Sequence, residues 1–127
     1  MAKTTTGSTK KFIRDHLKRV ESYWGYELWI VNKPEYCGKL LWFKKGHKLS
    51  LHYHRVKDET FYLQSGHIKV RLRYQDGQDE IIEMLPGDSM HIPPGLMHQM
   101  EGVVDSELFE FSTQHFDDDS YRVEKGS

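Results

Sequence analysis

From Tyr26 to Ser112 the chain is written in short runs of aromatic and β-branched residues, cut at intervals by Gly, Pro, Asp and Asn. That punctuation predicts strands. They are expected at Tyr26–Asn32, Lys39–Lys45, Ser50–His54, Thr60–Gln64, His67–Tyr74, Glu80–Met84, Ser89–Ile92 and Val103–Ser112. Eight short strands imply an all-β barrel or sandwich. Ile68 to Tyr74 alternates throughout, with four apolar side chains on one face and Lys69, Arg71 and Arg73 on the other, so that strand has a wet side. The Asp76-Gly77 pair that follows is a hairpin signal. Tyr26 to Val31 and Leu40 to Phe43 are instead apolar on both faces, more than one barrel wall buries. A partner subunit covering that sheet is therefore expected, as a homodimer.

The ends read differently. Met1 to Lys11 is rich in Thr, Ser and Lys and is expected to be a flexible tail, with one domain running from Phe12 to Ser127. Phe12, Ile13, Leu17 and Val20 have loosely helical spacing behind possible caps at Ser8 or Thr9, which suggests a short helix. Gln114 to Ser127 is acidic and then mixed, with no core-forming pattern. The chain has 127 residues, enough for one domain. Its 18 basic and 19 acidic residues give a formal charge of −1 and are interspersed, so neither nucleic acid nor an anionic membrane is an expected partner. The single cysteine, Cys37, has no internal partner for a disulfide. No basic start leads into an apolar stretch, and no apolar run approaches the roughly 20 residues that span a bilayer. A soluble cytoplasmic protein is the expectation.

Eight histidines stand out. His52 and His54 flank Tyr53 on one expected strand, where a period of two turns both imidazoles to the same face. Glu59 opens the next strand in step with Phe61 and Leu63, and His98 follows the Pro93-Pro94-Gly95 turn. Taken singly, an inward histidine is more often a hydrogen-bonded core residue, and Glu59 could be a solvated strand end. Jointly, three imidazoles and one carboxylate form a borderline N/O donor set for one divalent transition ion: Mn, Fe, Co, Ni or Zn. His91 alternates with Met90 and Ile92 and should face away from them, while Tyr53, Tyr62, Trp42 and Trp29 read as interface or core packing.

These residues resemble the two sequence motifs of the cupins. Gly46, five residues, His52-Tyr53-His54, four residues, Glu59, six residues and Gly66 match the first motif. Gly87, five residues, Pro93-Pro94-Gly95, two residues and His98 match the second, with Gly102 standing where that motif ends in Asn. The resemblance implies a jelly-roll double-stranded β-helix with His52, His54, Glu59 and His98 holding the metal. Trp24-Gly25-Tyr26-Glu27, Lys39, Gly46, Leu49-Ser50-Leu51 and Asp117 to Arg122 further resemble the type II mannose-6-phosphate (phosphomannose) isomerase cupin domain. This chain has His52 where that family has Gln and Gln99 where it has Arg.

That second resemblance implies an aldose-ketose isomerase acting on a sugar or sugar phosphate. Lys39, in step with Leu41 and Phe43, would then contact a sugar or phosphate oxygen from inside the barrel mouth, or else be a solvated strand end. Glu110, out of step with Phe109 and Phe111, is a candidate proton shuttle unless it faces water. Arg122 would clamp an anionic group over the mouth, or lie on the surface. A cupin-type iron dioxygenase and a non-catalytic sugar- or metabolite-binding cupin are the alternatives.

Overall fold

The computed structural model describes residues 16–127. Eleven strands run in chain order: β1 (Lys18–Ser22), β2 (Gly25–Lys33), β3 (Tyr36–Phe43), β4 (Leu51–Tyr53), β5 (Glu59–Ser65), β6 (Ile68–Arg73), β7 (Asp79–Met84), β8 (Ser89–Ile92), β9 (Met97–Gly102), β10 (Ser106–Ser112) and β11 (Tyr121–Glu124). They form a six-stranded sheet in the order β1-β2-β3-β10-β5-β8 and a five-stranded sheet in the order β11-β4-β9-β6-β7. The pairings between these strands are antiparallel, and no helix occurs among the described residues. The architecture is the expected all-β jelly roll.

The inner faces follow the alternation of the sequence. Ile68, Val70 and Leu72 of β6 turn inward and are buried, while Arg71 and Arg73 look out to Asp79 and Glu124. They meet Phe43, Phe61, Leu63, Met84, Ile92, Met100 and Leu108 in one core between the sheets.

Along β3, β5 and β10 the inward row changes character. Lys39, Glu59 and Glu110 are buried at one end, and Leu41, Phe43, Phe61, Leu63 and Leu108 lie toward the other. Because β10 pairs Glu110 with Lys39 and Phe61, and Leu108 with Leu41 and Leu63, the charged ends coincide. One end of the sandwich is packed hydrocarbon and the other carries chemistry.

Three departures from the sequence reading have physical causes. The helix expected over Phe12–Val20 does not form where it is described: Lys18–Ser22 is strand β1 and His16 and Leu17 have no regular structure, while residues 12–15, like the expected tail at residues 1–11, lie outside the described residues. A four-residue apolar spacing was outweighed by the open edge of β2, where the Lys18 ammonium lies 4.1 Å from the Trp29 ring centre and Arg19 lies 3.8 Å from that of Tyr26. Strand β9 was missed because its buried residues include His98, Gln99 and Gly102, and Gln99 is tolerated only because its Nε2 donates to the Leu49 carbonyl at 2.8 Å. Strand β11 was missed because it buries almost nothing of its own and is held by backbone pairing to β4.

The β5–β6 turn depends on Gly66. Its φ is +96°, and a Cβ there would sit 2.2 Å from Ser106 Oγ and 2.6 Å from the Asp105 carbonyl oxygen. Gly77, at φ +84°, has open space around it. Gly77→Ala should therefore cost only the left-handed backbone penalty of about 1–2 kcal/mol. Gly66→Ala should cost clearly more, because backbone must move. Chemical denaturation of the two variants checks this, and equal losses would count against the close approach.

Candidate metal centre and cavity

The charged end of the sandwich opens into a cavity of about 370 Å³. Its floor is hydrocarbon from Trp24, Leu41, Phe61 and Met100. Its walls bring together His52, His54, Glu59 and His98, and also Lys39, Lys57, Glu110, His115 and Arg122. All seven residues singled out in the sequence as ligand, base or clamp thus line one space.

Each histidine is set by its second ring nitrogen. His52 Nδ1 lies 2.9 Å from the Ser50 carbonyl, His54 Nδ1 2.7 Å from that of Asp119, and His98 Nδ1 2.9 Å from that of Leu96. A carbonyl only accepts, so all three Nδ1 atoms carry the proton and all three Nε2 lone pairs are free. Cross-strand pairing of His52 with His98 brings two of these rings to a 4.5 Å centroid separation. The ligand atoms of His52, His54 and His98 all lie within 4.8 Å of one another.

Glu59 Oε2 joins them, 3.5 Å from His54 Nε2 and 3.3 Å from His98 Nε2, while remaining buried with no hydrogen-bond donor. Lone pairs aimed at one another in a dry pocket are costly unless a positive charge lies between them. A cation at that point supplies the missing charge. The residues therefore fit a first-row divalent ion, whose borderline character suits nitrogen and oxygen donors.

The electrostatics agree. Burial, reinforced by His98, pushes the His52 imidazole down to about 3. Burial also lowers His54, with Lys57 and His98 acting in the same direction, against the pull of Glu59 and the Asp119 carbonyl. Both rings are thus neutral and available as donors at neutral pH. Burial alone would raise the Glu59 carboxyl, but His98 and the Lys57 ammonium more than offset it and keep the group ionised.

Lys57, which the sequence reading passed over, proves central. Its ammonium donates to Glu110 Oε2 at 3.0 Å and His115 Nδ1 at 3.1 Å and forms an ion pair with Glu59 Oε1 at 3.3 Å, in a residue 3 % exposed. One buried cation thereby supports both Glu59 and Glu110. Among the sequence signals, only its place between His54 and Glu59 could have pointed to it. Lys39 is inside, as strand parity suggested, with Nζ 3.3 Å from Glu27 Oε1 and 3.9 Å from the Trp29 ring centre. Glu110 is 4 % exposed and faces the cavity, not water. Arg122 is at the rim, cross-strand from His52. His91 faces outward against Asp58.

The lowered imidazoles link stability to pH. An unfolded histidine titrates near 6.5, so between that value and about 3 the unfolded chain binds a proton at His52 that the folded one refuses. The stabilisation is full above pH 6.5 and is lost as pH falls; at pH 5 His52 alone accounts for on the order of 2 kcal/mol. His54 and His115, also lowered by burial, act in the same direction. Metal-free protein should denature at lower urea concentration at pH 5 than at pH 7.5, and His52→Ala should flatten that dependence. An unchanged midpoint between the two pH values would contradict the buried neutral rings.

Comparison with known proteins agrees with this geometry. Residues 40–111 match the family model described as the cupin domain. A curated oxalate decarboxylase of Arthroderma benhamiae is 33% identical over 87 residues, which is 67% of this chain and 20% of that protein. Among solved structures, oxalate decarboxylase from Bacillus subtilis superposes with a TM-score of 0.77 at 18% identity, over 84% of this chain and 30% of that one. Mn(II) centres are named for that enzyme. The capsular polysaccharide assembling protein CapF from Staphylococcus aureus superposes with a TM-score of 0.74 at 26% identity, over 86% and 34%. The chain thus spans a fifth to a third of these relatives. With fold, motifs and three-histidine cluster in agreement, it belongs to the cupin family as a metal-binding member.

Proposed function

We propose that this cupin is a metal-dependent enzyme for a small, oxygen-rich anionic substrate, and that it moves a proton between adjacent carbons of a sugar or sugar phosphate, as an aldose-ketose isomerase does. The observation that carries the reading is the presence of a buried carboxylate, Glu110, and a buried ammonium, Lys39, in the same cavity as the imidazole cluster. We assign His52, His54, Glu59 and His98 as the metal ligands. An ion held there supplies Lewis-acid polarisation of a carbonyl and its neighbouring hydroxyl.

The protein's own groups do the rest. Glu110, placed by its pairing with Lys39 and steadied by Lys57, takes the proton from one carbon and returns it to the next. Lys39 holds a substrate oxygen, and Trp29 beneath it keeps the ammonium in place. Arg122 at the rim receives the anionic end of the substrate in a two-pronged contact. Four cations (Lys39, Lys57, Arg122 and Lys125) against three carboxylates (Glu27, Glu59 and Glu110) line the cavity, a balance that favours an anion.

The assay loads purified protein with Mn(II), Fe(II), Co(II), Ni(II) or Zn(II) and offers aldose and ketose phosphates, mannose 6-phosphate among them. Interconversion is expected, absent in Glu59→Ala and reduced about 10²–10⁴-fold in Glu110→Gln. The name of the curated relative makes oxalate the necessary comparison. Carbon dioxide release from oxalate, oxygen consumption with Fe(II), or tight sugar binding without turnover would each replace the isomerase reading.

We further propose that the chain pairs with a second copy through the outer face of the six-stranded sheet. There Leu28, Leu40, Phe109 and Tyr62 stand in one cross-strand row, beside Tyr26 stacked on Trp42 with ring centres 5.5 Å apart. Light scattering at micromolar concentration should give twice the chain mass, and Phe109→Lys should halve it. A monomeric mass for the unsubstituted protein would refute the pairing.

A further inference from the structure

The three histidines are not oriented alike. His52 and His98 give their Nδ1 protons to carbonyls two residues earlier in their own strand segments, Ser50 and Leu96. The carbonyl that takes the His54 proton belongs to Asp119, 65 residues away. The same residue's side chain, 6 % exposed, grips the connection between β4 and β5. Oδ1 accepts from the Arg55 amide at 2.8 Å and the Val56 amide at 3.2 Å, and Oδ2 accepts from the Lys57 amide at 2.9 Å. Three successive amides without strand partners thus share one carboxylate.

Resting on the metal reading above, we propose that Asp119 is a positioning residue of the metal centre, presetting two ligands from the C-terminal segment. Its carbonyl fixes the His54 tautomer, so that the Nε2 lone pair faces His52 and His98. Its carboxylate fixes the backbone of Lys57, whose ammonium then engages Glu59 Oε1 and leaves Oε2 turned to the imidazoles. Asp119 touches no substrate in this scheme and acts through His54 and Lys57. Groups that orient metal ligands in this way are typically worth 10–100-fold in affinity.

The test measures Co(II) affinity by competition with a coloured chelator, together with the visible spectrum of the Co(II) protein, for the unsubstituted chain, His52→Ala, Asp119→Asn and Asp119→Ala. Asp119→Ala should weaken Co(II) binding about tenfold or more and alter the spectrum. Asp119→Asn should fall between, since an amide oxygen still accepts from Arg55 and Val56 but not from Lys57. Affinity and spectrum in Asp119→Ala equal to the unsubstituted protein, with His52→Ala impaired, would overturn the role of Asp119 and leave the metal reading intact. Equal Co(II) uptake by His52→Ala and the unsubstituted protein would overturn both. If Asp119→Ala does not fold, the Asn variant and nitrogen-15 NMR of His54 in the metal-free, unsubstituted protein decide. The Nδ1–H form is expected, and an Nε2–H form would overturn the proposal.

Discussion

Strand β10 lies between β3 and β5, and the register of those two pairings organises the molecule. It places Glu110 beside Lys39 and Phe61, and Leu108 beside Leu41 and Leu63. A slip of one residue on either side would turn Glu110 to the outer face and drive Phe109 and Phe111 into the cavity. Burial of the leucine row therefore does more than hold the sheets together: it decides which charged side chains meet at the far end. The hydrocarbon core is in this sense the template of the site.

Concentrating ionised groups in a dry space has a cost, and the structure meets it by pairing. Lys57 lies between two carboxylates, and Lys39 is held by Glu27 and Trp29. These contacts leave one atom without a donor, Glu59 Oε2, at the point where three imidazole lone pairs converge. A buried carboxylate oxygen without a donor, facing three free imidazole lone pairs, is prepared for a positive charge at that place, and the hydrogen-bonded Nδ1 atoms keep the rings from turning away.

Much of this was legible in the chain itself. Period-two alternation gave the inward rows of β3, β5 and β6, a local rule that the fold did not override, and the resemblance to the two cupin motifs singled out the three histidines that the β4–β9 pairing brings together. What stayed hidden depends on distant partners. Lys57 reads as a loop lysine until Glu110 and His115 are brought to it from more than 50 residues away. Lys18–Ser22 reads as helical until the aromatic edge of β2 is present to receive Lys18 and Arg19. Gln114 to Ser127 lacks a core pattern because it contributes backbone and caps in place of apolar side chains.

That last segment shows why a site can be more exacting than the fold around it. The core tolerates its neighbours through many small apolar contacts, so no single one determines whether the sheets pack. The cavity wall made by residues 119–127 is held by discrete bonds instead: Asp119 to three amides and His54, Ser127 to Lys48 through both backbone groups, and β11 to β4. Gly126 fits only because it has no side chain, since a Cβ there would lie 1.9 Å from the Tyr23 hydroxyl and 2.4 Å from the Lys48 carbonyl. A segment that adds little to the core thus closes the cavity, carries Arg122 to its rim and orients His54, so changes in it should act on the site before they act on the fold.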